Sequence, residues 1–217
     1  MGLTGYEFTG HEVVDSHLTL EQALAPIPGH PEVPPEILAE QRLLDVKSWG
    51  RLDHLEHRGQ IVVNDQITDT VAGFFVEAYN RYFPMGPVVP AANTTFVGID
   101  PEGRPFTGLL GNDTNMMHNN VTSGFNHRPI DGTDRLSTHG YGLAMDVNPG
   151  LNAYKRFDAA GNLISSQPAN CLEDPNLPGT FSAWHPLVHY MLKRNIIWGG
   201  LWHGKVKDNH HFGYDEH

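Results

Sequence analysis

The chain has 217 residues and a formal charge of −11 with its 14 histidines neutral, which argues against a protein held by nucleic-acid phosphates or by an anionic membrane surface, since both need a basic patch. Its single cysteine, Cys171, excludes an internal disulfide and any zinc site built on two or four thiolates. With 39% hydrophobic and 18% charged residues, a packed core is feasible, so the length fits one sizeable domain, or one domain carrying an arm.

Residues 1–34 read as an extended N-terminal arm, because "APIPGHPEVPP" places five prolines in eleven residues. The first eighteen residues contain neither a basic region nor an apolar one, so no signal peptide is visible. The initial Met-Gly lacks the second signal that stable lipid anchoring needs. "HEVVD" at 11–15 is half of a zinc-helix motif without its second histidine. The domain proper is expected over residues 35–217. "PPEILAEQRLLDV" predicts a short helix with proline in its first turn.

"GQIVVN" at 59–64 predicts a strand, and Asn64 can cap the next helix. In that helix Ile67, Val71, Phe74, Phe75, Ala78 and Tyr82 share one face, and Pro84 ends it. Residues 85–125 suggest strands and loops, and 148–180 a long ordered loop of the kind that borders binding sites. Cys171 sits in this Pro-rich stretch with no neighbouring base, so a nucleophilic role is not expected. A second helix is predicted with Ser182 as its cap, a stripe of Trp184, Leu187, Val188, Met191 and Leu192, and Asn195 in the left-handed closing position. Helices and short strands interleave without a βαβ period, which predicts an α+β fold. No apolar run is long enough to span a bilayer.

The stretch "STHGYGLAMDVNPG" (137–150) stands apart. As a strand over 142–147 it would turn Leu143, Met145 and Val147 to one face and Gly142, Ala144 and Asp146 to the other. One greasy face opposite two minimal side chains and a carboxylate suggests a surface cleared for something, with His139 able to fold over it. An ordinary strand with an edge Asp and a surface His is the alternative. About sixty residues on, "KDNHHFGY" supplies Asp208, His210 and His211. Two imidazoles and a carboxylate suit zinc and leave a coordination place for water, whose pKa zinc lowers to about 7. Asp208, three residues before His211, is placed to act as general base beside the metal. His210 and His211 face opposite sides of a strand, so only one can reach the ion, and the Asp-x-x-His spacing favours His211.

Ser137-x-His139-x-x-Gly142-x-Ala144-x-Asp146, followed by Asp208-x-x-His211-Phe212, resembles the zinc D-Ala-D-Ala peptidase family of carboxypeptidases, dipeptidases and L-alanyl-D-glutamate endopeptidases. "NNVTSGFNHRPI" and "WGGLW" are also similar to members, and the resemblance spans roughly residues 40–214. It implies a small antiparallel sheet flanked by helices, as in the hedgehog signalling domain. It also implies zinc held by His139, Asp146 and His211, with Asp208 as general base and acid and Ser137 at the cleft edge near substrate. Arg128 would stabilise an oxyanion or a substrate carboxylate; here "SGFNHR" has two residues more than the family's motif before the arginine.

The implied activity is hydrolysis of a bond in the peptidoglycan stem peptide, as a carboxypeptidase or an endopeptidase. The expected partners are stem peptides, with no nucleic acid and no membrane insertion, and a monomer is expected. Such a protein acts on the cell wall, either exported or released as a phage lysin. Two other readings share the residues. A non-catalytic hedgehog-like module would need His210 or His203 to close the zinc coordination. A non-haem iron oxygenase would use two His and a carboxylate, but with His-x-Asp/Glu spacing, whereas in this chain the two are seven residues apart.

Overall fold

The computed structural model describes residues 15–169, 171, 174 and 176–214. The opening Met-Gly and most of the "HEVVD" run lie outside them. Residues 15–34 lie along the body of the protein. Buried Gln60 holds this segment, its Oε1 accepting from the Ser16 hydroxyl (2.8 Å) and the Leu18 N–H, while its Nε2 donates to Leu18 O. Within the segment a single helical turn, α1 (Leu20–Ala23), is opened by a capping box on Thr19 and Gln22.

The helix expected from Pro35 stops early. α2 is Pro35–Ala39, and from Gln41 the chain becomes the long strand β1 (Gln41–Gly50), antiparallel to β2 (Glu56–Asn64) from Gln41↔Asn64 to Trp49↔Glu56. Both faces of this ribbon are covered. Leu44, Val46, Ile61 and Val63 point into the main core, and Leu43 and Val62 into a second cluster with Ala23 and Phe125. Apolar side chains therefore occur at both parities, which hides the two-residue alternation of a half-buried strand.

Asn64 acts as the expected cap: its Oδ1 accepts the Gln66 N–H at 3.0 Å at the head of a 3-10 turn that runs into α3 (Thr68–Asn80). Val71, Phe74, Phe75 and Ala78 of α3 are buried in the main core, and Tyr82 turns left-handed before Pro84. Beyond it come β3 (Pro84–Met85), parallel to β1, and the β4 (Val97–Ile99)–β5 (Pro105–Thr107) hairpin. A helix not expected from the sequence, α4 (Asp113–His118), comes next with Asn112 as its cap. At six residues it is too short for a helical period to register.

Four elements then build the C-terminal half: β6 (Ala144–Asp146), the β7 (Tyr154–Phe157)–β8 (Leu163–Gln167) hairpin, and α5 (Pro186–Leu192). The stretch expected as a long loop over 148–180 thus contains a hairpin. The chain closes with β9 (Ile197–Trp198), β10 (Val206–Asp208) and β11 (His211–Gly213). Two three-stranded antiparallel sheets result, β6-β11-β9 and β10-β7-β8. The mixture of small, largely antiparallel sheets and few helices agrees with the α+β expectation. Among the described residues no helix is long and apolar enough to cross a membrane.

The cap of α5 is His185, not Ser182, and Trp184 stands outside the helix, 84% exposed. Pro186 at the first helical position sets this start, because it needs no backbone partner there. Leu187, Val188 and Met191 fill the core, and Asn195 takes a positive φ as expected. His185 Nδ1 accepts the Leu187 N–H at 3.3 Å, and the ring stands edge-on to Phe83 and Phe181.

Burial, aided by the charge of Arg81, pulls the His185 imidazole down from 6.5 to about 4. The unfolded chain then takes up a proton near pH 6.5 that the folded chain refuses until about pH 4. The stability from neutral His185 is full above the upper value and is lost as pH falls toward the lower one. Allowing for its partial exposure, this amounts to about 1–2 kcal/mol. Urea unfolding across that range should show the acid limb flattened in His185→Asn, which caps without titrating; an unchanged pH slope contradicts the assignment.

Candidate metal centre

The pairing of β6 with β11 sets Asp146 directly opposite His211 and Met145 opposite Phe212. Side chains alternate along a strand, so one parity serves the core and the other the site. Met145, Val147 and Phe212 are fully buried in the main core, Phe212 packing against Phe74 and Phe181. Asp146 and His211 share the opposite face. Ala144 and Gly213, paired on that face, make room for the His211 ring: a Cβ at Gly213 would meet Nε2 at 2.7 Å and the Ala144 Cβ at 2.9 Å. The small residues that suggest a cleared surface are in part a seat for an imidazole. Gly142 has another cause. It lies outside the strand at φ +72, and a Cβ there would strike Gln41 Oε1 at 2.1 Å.

His139 reaches the same point from a 3-10 turn (Thr138–Tyr141). Its Nδ1 donates to the Gly124 carbonyl at 2.8 Å, so in the neutral ring Nε2 carries the lone pair. Gly124 is pressed on β2, where a Cβ would stand 2.2 Å from Val62 O, and Ser123 pairs with the Asp146 backbone in both directions. "TSGFN" thus brackets the site from the far side of β6.

The three donors converge. His139 Nε2 lies 3.1 Å from Asp146 Oδ1 and 3.1 Å from His211 Nδ1, and His211 Nδ1 lies 3.3 Å from Asp146 Oδ1. Tetrahedral zinc with bonds of about 2.0–2.1 Å separates its ligand atoms by roughly 3.3 Å, so the triangle has the size such an ion needs. The electrostatics point the same way. Burial opposes charge on both partners, yet the Asp146 carboxylate holds His139 above its ordinary value, and His139 with His210 holds Asp146 well below the usual carboxylate range. The carboxylate is thus ionised and gathers positive charge around it. Among the described residues these three form the only group of His, Cys, Asp and Glu able to hold an ion, so His203 does not complete a fourth place.

His210 is the residue whose part the sequence did not reveal. Its Nδ1 donates to Asn152 O at 2.7 Å, and its Nε2 stands 2.9 Å from Asp208 Oδ1 in an ion pair. Both nitrogens are occupied, and Nε2 is 3.9 Å from Asp146 Oδ2, so His210 lies between Asp208 and the cluster rather than in it. Burial works against its charge, but Asp208 and then Asp146 prevail and push it up to about 10. Asp208 ends β10 and pairs with Tyr154 of β7, with Oδ1 buried and without a hydrogen bond of good geometry. The adjacent histidines in "NHH" were the available signal.

Ser137, expected at the cleft edge, is buried, and its Oγ accepts the His139 N–H at 3.3 Å. It orients His139, and little of it is left to meet substrate. Arg128 is two hydrogen bonds from the centre: its carbonyl accepts the Ser137 N–H, and the Ser137 Oγ accepts the His139 N–H at the head of its turn. Its charge disfavours protonation of His139, and its guanidinium pairs with Asp113. Burial pushes the Cys171 thiol up to about 11, which disfavours the reactive thiolate.

Residues 131–214 match the family model described as D-alanyl-D-alanine carboxypeptidase. No curated protein and no solved structure matches the chain significantly. The matched span contains His139, Asp146, Asp208 and His211 and leaves out Arg128 and Asp113. Over residues 131–214 the chain is thus similar to the D-alanyl-D-alanine carboxypeptidase family of peptidases.

Proposed function

We propose that the protein is a zinc peptidase that hydrolyses a bond in the peptide stem of peptidoglycan. The observation that carries the reading is the triangle of His139 Nε2, Asp146 Oδ1 and His211 Nδ1, with sides of 3.1 to 3.3 Å and no fourth ligand among the described residues. A zinc ion held there would polarise a peptide carbonyl and acidify a water molecule to near neutrality.

The remaining work falls to the chain. Asp208, paired with the His210 imidazolium, accepts the proton of the attacking water and returns it to the leaving amine nitrogen. His210 acts through Asp208: the Asn152 carbonyl fixes its ring, and the ring fixes the carboxylate. Arg128 offers donors to the carbonyl oxygen as charge develops on it, or to a carboxylate of the substrate. The family description favours a carboxypeptidase acting next to D-alanine. The hedgehog-like alternative loses support, because the nitrogens of His210 are both committed elsewhere.

Elemental analysis of the purified protein should find one equivalent of zinc rather than iron, and none after His139→Ala, Asp146→Ala or His211→Ala. Asp208→Ala should keep the metal and lose about 10²–10⁴-fold in release of amino acid from a defined muropeptide. His210→Ala should also keep the metal and turn over at least tenfold more slowly. Parent-like cleavage by Asp208→Ala would remove the mechanism, and a metal-free parent the whole reading.

A further inference from the structure

Arg128 lies on the wall of a pocket of about 640 Å³, together with His30 of the N-terminal segment, Asp113 and Thr114 of α4, and the turn after Pro129. The guanidinium has five N–H donors. Nε–H donates to Asp113 Oδ1 at 2.8 Å and the Nη2 group pairs with Asp113 Oδ2, a two-bond fork that fixes the plane of the group. Nη1 has only a long contact of 3.4 Å to Pro129 O. The fork therefore leaves donors on the outer nitrogens for a ligand while removing the freedom of the side chain to swing.

Asp113 is itself anchored. Asn126, almost fully buried, donates from Nδ2 to Asp113 Oδ1 (3.2 Å) and to Gly111 O (3.1 Å), and its backbone N–H donates to His139 O (3.0 Å). One chain of hydrogen bonds thus runs from the carboxylate that holds Arg128 to the backbone of His139. Asp113 lies outside the span that matches the peptidase family, so this support belongs to the rest of the chain.

We infer that Asp113 is a positioning residue for the reaction: through its fork it aims Arg128 at the substrate and keeps that aim in register with His139. The inference rests on the peptidase reading for its kinetic consequence and on geometry alone for the fork. A double-mutant cycle tests the first part. Asp113→Asn should lower kcat/KM on a defined muropeptide at least tenfold in the parent, and less than twofold in an Arg128→Ala background, because the aspartate acts only through the arginine. Equal losses in both backgrounds, or no loss in the parent, overturn it.

The second part needs no turnover and no altered fold. In nitrogen–proton NMR spectra of the parent, the Arg128 Nε–H, assigned by its disappearance in Arg128→Lys, should exchange with water at least tenfold more slowly than that of the exposed Arg135. Exchange as fast as Arg135 overturns the fork. A parent that cleaves no muropeptide but shows the slow Nε–H would defeat the peptidase reading and leave the fork standing.

Discussion

The site depends on one register. Two short strands from distant parts of the chain, β6 and β11, pair so that Asp146 faces His211 across the ladder. Because a strand's side chains alternate with a strict period of two, a slip of one residue would exchange the two faces. Phe212 and Met145 would then leave the core, and the imidazole and carboxylate would enter it. The register is thus enforced by apolar burial: Phe212 lies beneath α3 and α5 among Phe74, Phe181 and Met191, and truncating such a ring costs about 3–5 kcal/mol. Core packing and donor placement are two faces of the same pairing.

Neutral hydrogen-bonding groups, two carbonyls and a hydroxyl, then help to fix the histidines of the site. The Gly124 carbonyl sets the tautomer of His139, the Ser137 hydroxyl holds its peptide N–H, and the Asn152 carbonyl holds His210. Each lock is made by a segment that must approach closely, and small residues permit it: Gly124 against β2, Gly142 against Gln41, Gly213 under His211. The net effect is a half-buried carboxylate surrounded by imidazoles, an arrangement whose electrostatics favour a cation at its centre.

Much of this is legible in the sequence, and the failures have physical causes. His139, Asp146 and His211 can be picked out because their spacing follows strand alternation and a recognisable family pattern. The role of His210 is not legible, because it depends on the Asn152 carbonyl 58 residues away, and no local pattern encodes that contact. The strand β1 reads as the continuation of a helix because covering both faces of the ribbon removes its alternation. The cap of α5 falls three residues later than its sequence suggests: Ser is the better intrinsic cap, but Pro186 and the aromatic seat of His185 decide the start. Asp113 gives no local signal because its partner, Arg128, is fifteen residues away and α4 leaves no periodic trace.

Everything turns on whether one cation sits where the three donors meet. A crystal grown with zinc and measured on both sides of the zinc absorption edge answers this directly. A single strong anomalous peak is expected within bonding distance of His139 Nε2, Asp146 Oδ1 and His211 Nδ1. A peak held by His210 instead, or none between these three residues, would overturn the assignment of the centre.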